Sequence, residues 1–187
     1  LEGYESKFLA IWFEAVSPRT AGFNSLNTGA TRDSTSLMTM GLMVIGGGST
    51  STAGGIKVTT TVVLILATIA FFKNSGQMNA FGSSIGLEQG LKVMALLTLS
   101  MFVLMTGLFI IVATHELEFI DAAFEVVSAF GTVGLSRGIT GDLNELGRWV
   151  ISFIMFLGRL GPLSLGLFLA TKTPPRVKYP EGPVFLG

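Results

Sequence analysis

The sequence predicts an all-α membrane protein, a pore assembled from repeated helix, pore-helix, loop and helix units. Three observations predict it. Of the 187 residues 49% are hydrophobic and only 13% charged, and mean hydropathy is positive, a balance foreign to water-soluble domains and ordinary for chains that live in lipid. Long apolar segments recur along the chain. Between them lies a repeat: Phe13-Glu14-Ala15-Val16-Ser17 followed by Thr20-Ala21-Gly22-Phe23-Asn24, and later Phe124-Glu125-Val126-Val127-Ser128 followed by Thr132-Val133-Gly134-Leu135-Ser136. A short amphipathic segment ending in a Thr-x-Gly turn, set twice among apolar segments, reads as two re-entrant pore loops.

The first such loop with its helix occupies residues 8–25. An apolar segment from Leu37 to Phe72 follows, interrupted by Gly46-Gly47-Gly48-Ser49-Thr50-Ser51-Thr52-Ala53-Gly54-Gly55. At roughly 1.5 Å per residue a single rod of that length would overshoot a hydrocarbon core about 30 Å thick, so the glycines mark a break near mid-depth. Irregular backbone there must be enclosed by protein or line a water-filled path. Residues 33–72 are thus a broken helix, and 46–55 the loop within it. A connector over 73–89 leads to a spanning helix over 90–114, a second pore helix and loop over 118–136, a further spanning helix over 144–170, and a tail over 171–187. The second pore helix, around Asp121 to Phe130, dips in and returns.

Lys73, Lys92, Lys172, Arg176 and Lys178 fall on one side of this arrangement, which the positive-inside rule makes cytoplasmic. The connector and tail are then cytoplasmic, and Arg32, Asp33 and His115 lie outside. The opening lacks a basic region and cleavage site, so no signal peptide is expected, and a start in mid-pattern suggests a fragment or processed chain. Twelve basic and twelve acidic residues leave no net charge, which gives no footprint for nucleic acid. The absence of cysteine excludes disulfides and thiolate metal sites.

The repeat extends past the loops. Ile45-Gly46 and Leu157-Gly158 fall at the same offset that relates Gly22 to Gly134. Residues 1–72 and 90–170 are therefore two copies of one unit, the first without its opening helix. Two units do not enclose a central path, and a pseudo-fourfold pore needs two more, from a preceding N-terminal part or, failing that, another chain.

Ser17-Pro18-Arg19-Thr20-Ala21-Gly22-Phe23-Asn24, the break ending Ala53-Gly54-Gly55-Ile56-Lys57, Phe130-Gly131-Thr132-Val133-Gly134-Leu135-Ser136 and Gly158-Arg159-Leu160-Gly161-Pro162-Leu163 together resemble the Trk/Ktr/HKT superfamily, and within it the bacterial Ktr/Trk-type potassium-translocating membrane subunit. The resemblance covers essentially the whole chain and matches the last two of four pore repeats, the C-terminal half. It implies a potassium-channel-like selectivity filter, one quarter formed by Thr20, Ala21, Gly22 and Phe23 and another by Thr132, Val133, Gly134 and Leu135. Potassium would bind the backbone carbonyls of Thr20, Ala21, Gly22, Thr132, Val133 and Gly134, which replace its hydration shell. It also implies that Gly46 to Gly55 form an intramembrane gating loop beneath the filter, with Arg159 as part of the barrier. Passive, gated uptake of potassium across the inner (plasma) membrane would follow, with sodium as an activating or co-permeating ion. The implied partners are an N-terminal half carrying the first two repeats, a second copy in a homodimer, and a cytosolic nucleotide-binding regulatory ring. No enzymatic activity and no organic cofactor are expected, since Gly46-Gly47-Gly48-Ser49-Thr50 lacks the phosphate-loop pattern.

Some readings stay open at this level. Glu14 and Glu125 either attract cations or tie each pore helix to neighbouring backbone, and Asn24 and Ser136 either brace the loops or do not. Lys57 either opposes a cation in the cavity or pairs with a carboxylate. An arginine inside an apolar helix is a functional candidate by default, yet Arg159 would also serve by snorkelling or neutralising an acid. His115 reads as an exposed loop residue, and Trp12 and Trp149 as interfacial anchors or core. The alternative to a channel-like pore is an ion-coupled secondary transporter with its substrate site at the broken helix. A membrane scaffold is a third reading.

Overall fold

A computed structural model of the chain describes residues 3–48, 51–73, 78–80 and 83–161. Ser49 and Thr50 of the glycine-rich break, the end of the last apolar segment and the 171–187 tail lie outside the described residues. Six α-helices make up most of the rest: α1 (Tyr4–Val16), α2 (Asp33–Val44), α3 (Val58–Phe72), α4 (Leu87–Thr114), α5 (Phe119–Phe130) and α6 (Glu145–Leu160). The connector also holds a two-stranded antiparallel hairpin, β1 (Met78–Ala80) and β2 (Ser83–Ile85), which the apolar pattern did not anticipate because strands of three residues are too short to show a period.

Local chemistry sets the helix ends. Pro18 follows Ser17, which caps α1 while still helical, and offers no N–H to carry the helix further. The Asn144 side chain accepts the Gly147 N–H at 2.8 Å and caps α6, with Glu145 in the first turn and Arg159 in the last, both matched to the helix dipole. Within the helices Thr39, Thr68, Thr98, Ser100, Thr114 and Ser152 each donate to the carbonyl four residues back. Hydroxyls satisfied inside their own helix need no water, as an apolar surround requires.

The core sits around α5. This short helix packs against α2, α4 and α6, and Phe124, Val126 and Phe130 are buried between two clusters, one with Ile111, Ile151 and Ile154, the other with Met40, Met43, Val133 and Leu135. Gly158 lets α6 meet the end of α5, since a Cβ there would collide with the Phe130 carbonyl. Helix α4 is the one described helix long and apolar enough to cross a membrane, over Gln89–Thr114. Its exposed side shows Met94, Met101, Phe102, Met105 and Phe109. Trp12 and Trp149 are exposed as well, so neither is a core residue of this chain.

Candidate functional site: two paired loops over a pinned third

Each Thr-x-Gly loop emerges from the C-terminal end of a short helix. In the first, Thr20 has φ +68° and Gly22 φ +71°; in the second, Thr132 has φ +50° and Gly134 φ +91°. Ala21 and Val133 between them keep negative φ, so the backbone switches handedness at alternate residues in both. A left-handed threonine costs roughly 1–2 kcal/mol and persists only where its surroundings enforce it. Here the enforcement is visible. Ala21 and Gly22 N–H both reach the Ser17 carbonyl, at 3.1 and 3.2 Å, and Val133 N–H reaches that of Ser128 at 2.9 Å. The Ser17 hydroxyl donates to the Phe23 carbonyl.

The loops meet. The Thr20 hydroxyl donates to the Gly131 carbonyl at 3.1 Å, and the Val133 carbonyl oxygen occupies the place a side chain on Gly22 would need. Gly134 by contrast faces open space. Both loops are braced by the glutamate of their own helix, at the same spacing of eleven residues. Glu14 accepts from Ser25 N–H at 2.7 Å, Ser25 Oγ at 3.1 Å and Leu26 N–H at 3.0 Å. Glu125 accepts from Ser136 Oγ at 2.7 Å and Thr140 Oγ1 at 2.5 Å. The glutamates thus tie helix to loop, and Ser25, not Asn24, is the structural counterpart of Ser136. The first loop is one residue shorter before its threonine and one longer after its glycine.

The break between α2 and α3 closes on itself. An isolated parallel bridge joins Ile45 to Ile56, with Gly46 N–H to Ile56 O at 2.8 Å and Ile56 N–H to Val44 O at 3.0 Å. Inside, Ser51 N–H turns back to Gly48 O at 3.0 Å and Val58 N–H reaches Gly47 O at 3.3 Å. Two cations hold three successive carbonyls: Lys57 Nζ donates to Ser51 O at 3.0 Å and Ala53 O at 2.6 Å, and the Arg159 guanidinium donates to Thr52 O. Among the described residues Lys57 therefore pairs with backbone, not with a carboxylate. Gly54 and Gly55 press against the second loop, with no room for a Cβ at Gly54 beside Thr132 and Gly131, and Gly55 N–H reaches Gly158 O at 3.3 Å. Gly46, Gly47, Gly48, Ser51, Thr52, Ala53, Gly54, Gly55, Lys57 and Arg159 are thus brought into one region, which touches Thr132 through Gly54. Thr132 Oγ1 is buried there without a hydrogen-bond partner among the described residues.

Two further contributors emerge, one that the sequence suggests is an exposed loop residue and one that no sequence pattern marks. His115, half-buried, accepts the Asn144 N–H through Nε2 at 3.0 Å while Nδ1 lies 3.2 Å from Ile111 O; it fastens the end of α4 to the start of α6 rather than standing free in a loop. Arg137, two residues past the second loop, gathers partners from both units.

Short helices that end inside the fold in paired loops, beside a helix apolar enough to span lipid, define an α-helical, membrane-associated fold of the potassium-channel-like kind. The chain belongs to the TrkH family, a cation transport protein family whose model matches residues 3–177. It is 42% identical over 181 residues to the Ktr system potassium uptake protein B of Bacillus subtilis, covering 97% of this chain and 41% of that protein. Against the protein of the same name from Vibrio alginolyticus identity is 39% over 181 residues, with 97% and 40% covered. Against the potassium/sodium uptake protein NtpJ of Enterococcus hirae it is 37% over 185 residues, with 94% and 41% covered. The chain therefore spans about two fifths of the length of these relatives. Among solved structures the potassium transporter TrkH from Vibrio parahaemolyticus shares the fold, with a TM-score of 0.77 at 22% identity over 91% of this chain and 38% of that one. The names of these relatives describe uptake and transport, not enzymes.

Proposed function

We propose that the chain is the C-terminal half of a monovalent-cation uptake subunit, in which potassium moves passively through a channel-like filter above a gated loop. The observation that carries this reading is the handedness alternating at Thr20, Gly22, Thr132 and Gly134 in two loops that touch. Residues that alternate between mirror-related conformations turn successive carbonyls toward one side, the arrangement that replaces an ion's hydration shell. Thr20, Ala21, Gly22 and Phe23 form one quarter of the filter in this reading, and Thr132, Val133, Gly134 and Leu135 another. Helices α1 and α5 aim their C-terminal ends at the loops, and a partially negative helix end favours a cation.

The loop from Gly46 to Gly55 is the gate, held shut by Lys57 and Arg159 through the carbonyls of Ser51, Thr52 and Ala53. Two fixed positive charges beneath the filter also oppose a cation electrostatically. The remaining two quarters come from an N-terminal half, the complete subunit pairs as a homodimer in the inner membrane with its C-terminus cytoplasmic, and a cytosolic nucleotide-binding ring moves the gate. Sodium is a second permeant or activating ion, in keeping with the name of the Enterococcus relative.

Ion flux into proteoliposomes holding the full-length subunit tests this, with potassium, rubidium and sodium compared for the parent and Gly134→Ser. The expected result is passive, potassium-preferring flux whose preference falls about tenfold in the variant, or about 1.4 kcal/mol of discrimination. Flux strictly coupled to a second ion, or selectivity unchanged by the substitution, would favour alternating access at the broken helix.

A further inference from the structure

The side chain of Arg137 is only 8% exposed, and its contacts divide between the two units. Toward its own unit Nε meets Asp121 Oδ1, at the start of α5, at 2.5 Å. Toward the other, Nη1 donates to Thr31 O at 3.2 Å, lies 3.4 Å from Thr31 Oγ1 and reaches the buried Ser36 hydroxyl, and Nη2 lies 3.6 Å from Asp33 Oδ1. Its backbone joins in: a Cβ on Gly29 would stand 2.8 Å from the Arg137 carbonyl oxygen. The planar guanidinium suits this task because its five donors leave in fixed directions, and a buried charge of this kind is tolerated only when fully paired.

We infer that Arg137 is a positioning residue, a joint that holds the outer ends of the two units together and so sets the spacing of the Thr20–Phe23 and Thr132–Leu135 loops. Its effect on selectivity rests on the filter reading above. The route is short. Ser136, its neighbour, is fixed to Glu125, and Leu135 precedes that. On the other side Thr31 lies just before α2 and Asp33 and Ser36 in its first turn, and the far end of α2 at Met43 packs against Gly131. A displacement at Arg137 thus reaches the second loop from both directions without the arginine touching an ion. Lysine would keep the charge beside Asp121 and lose the fork to Thr31 and Ser36; glutamine would lose both.

The test uses the full-length subunit with spin labels at Ser34→Cys and Asp142→Cys as its only cysteines, comparing the parent, Arg137→Lys and Arg137→Gln. Pulsed electron resonance reads the distance between the labels, and potassium-to-sodium flux ratios are taken from the same proteoliposome preparations. The joint predicts a longer and broader distance distribution in Arg137→Gln, an intermediate one in Arg137→Lys, and a flux ratio reduced severalfold in the same order. An unchanged distribution in both variants overturns the joint, and a widened one with an unchanged flux ratio overturns its control of the loops. The distance is read without ion movement. A parent that carries no selective flux would therefore count against the filter reading, while a widened distribution would still uphold the joint.

Discussion

Helices α1 and α5 carry the same Phe-Glu-x-Val-Ser ending, yet α5 buries Phe124 completely while α1 leaves Phe13 39% exposed. Among the residues of α1 only Ala10 is buried, whereas α5 buries most of its length. The sequences do not explain this; the neighbours do. Helix α5 is enclosed by α2, α4 and α6, whereas no helix among the described residues packs against α1 to a comparable extent. The loops that follow nevertheless take the same handedness pattern and the same eleven-residue glutamate brace. Loop geometry is therefore encoded locally, by serine, glutamate and glycine at fixed spacing, while helix burial is supplied by the surroundings.

The largest expected effect on that contrast comes from removing the aromatic rings. Phe124→Ala should cost about 3–5 kcal/mol, the usual cost of emptying a filled core site, and Phe13→Ala less than half as much. Unfolding of the full-length subunit in detergent measures both, and equal losses would mean that α1 is covered as fully as α5 in the complete protein. Next come the braces. Glu125→Ala empties the place of a buried carboxylate, 6% exposed, and leaves the half-buried Ser136 hydroxyl without its acceptor, which should cost about 2–3 kcal/mol, against about 1 kcal/mol for Glu14→Ala, whose donors at Ser25 and Leu26 are exposed; the same unfolding measurement reads the difference, and a larger loss at Glu14 would reverse the comparison. The threonines give the smallest contrast. Thr20→Val removes the hydrogen bond to Gly131 and should lose about 1 kcal/mol, while Thr132→Val removes a hydroxyl that has no partner among the described residues and should be neutral or slightly stabilising. Destabilisation at Thr132 would reveal a partner for that hydroxyl in the full-length subunit.

What could be read from the sequence follows the range of the interactions. The break at Gly46 was legible because a 36-residue apolar run is too long for one crossing, and the paired loops because the repeat places identical chemistry at matched positions. The Arg137 joint was not legible. Its partners at Thr31 and Ser36 lie 106 and 101 residues away, and an arginine after a loop looks like any solvated charge. Asn24 was a reasonable counterpart of Ser136 by position relative to the glycine, but the brace is measured from the glutamate, which selects Ser25. His115 was misread because its role depends on where α6 begins, a matter of tertiary packing that no local pattern states.

The bridge between Ile45 and Ile56 has a mechanical corollary. With Ile45 and Ile56 stitched together, the chain between them is a small ring whose closure entropy is already spent, and a rearrangement there does not require α2 and α3 to separate. Motion inside the ring is opposed by the side-chain contacts from Lys57 and Arg159, the wedge of Gly54 against Thr132 and a few backbone hydrogen bonds, from Ser51 to Gly48, Val58 to Gly47 and Gly55 to Gly158. Excursions of this segment therefore belong to the class of local openings, with free energies well below that of global unfolding. Backbone amides within the ring should exchange with solvent faster than those of the flanking helices, with no loss of protection in the bundle itself.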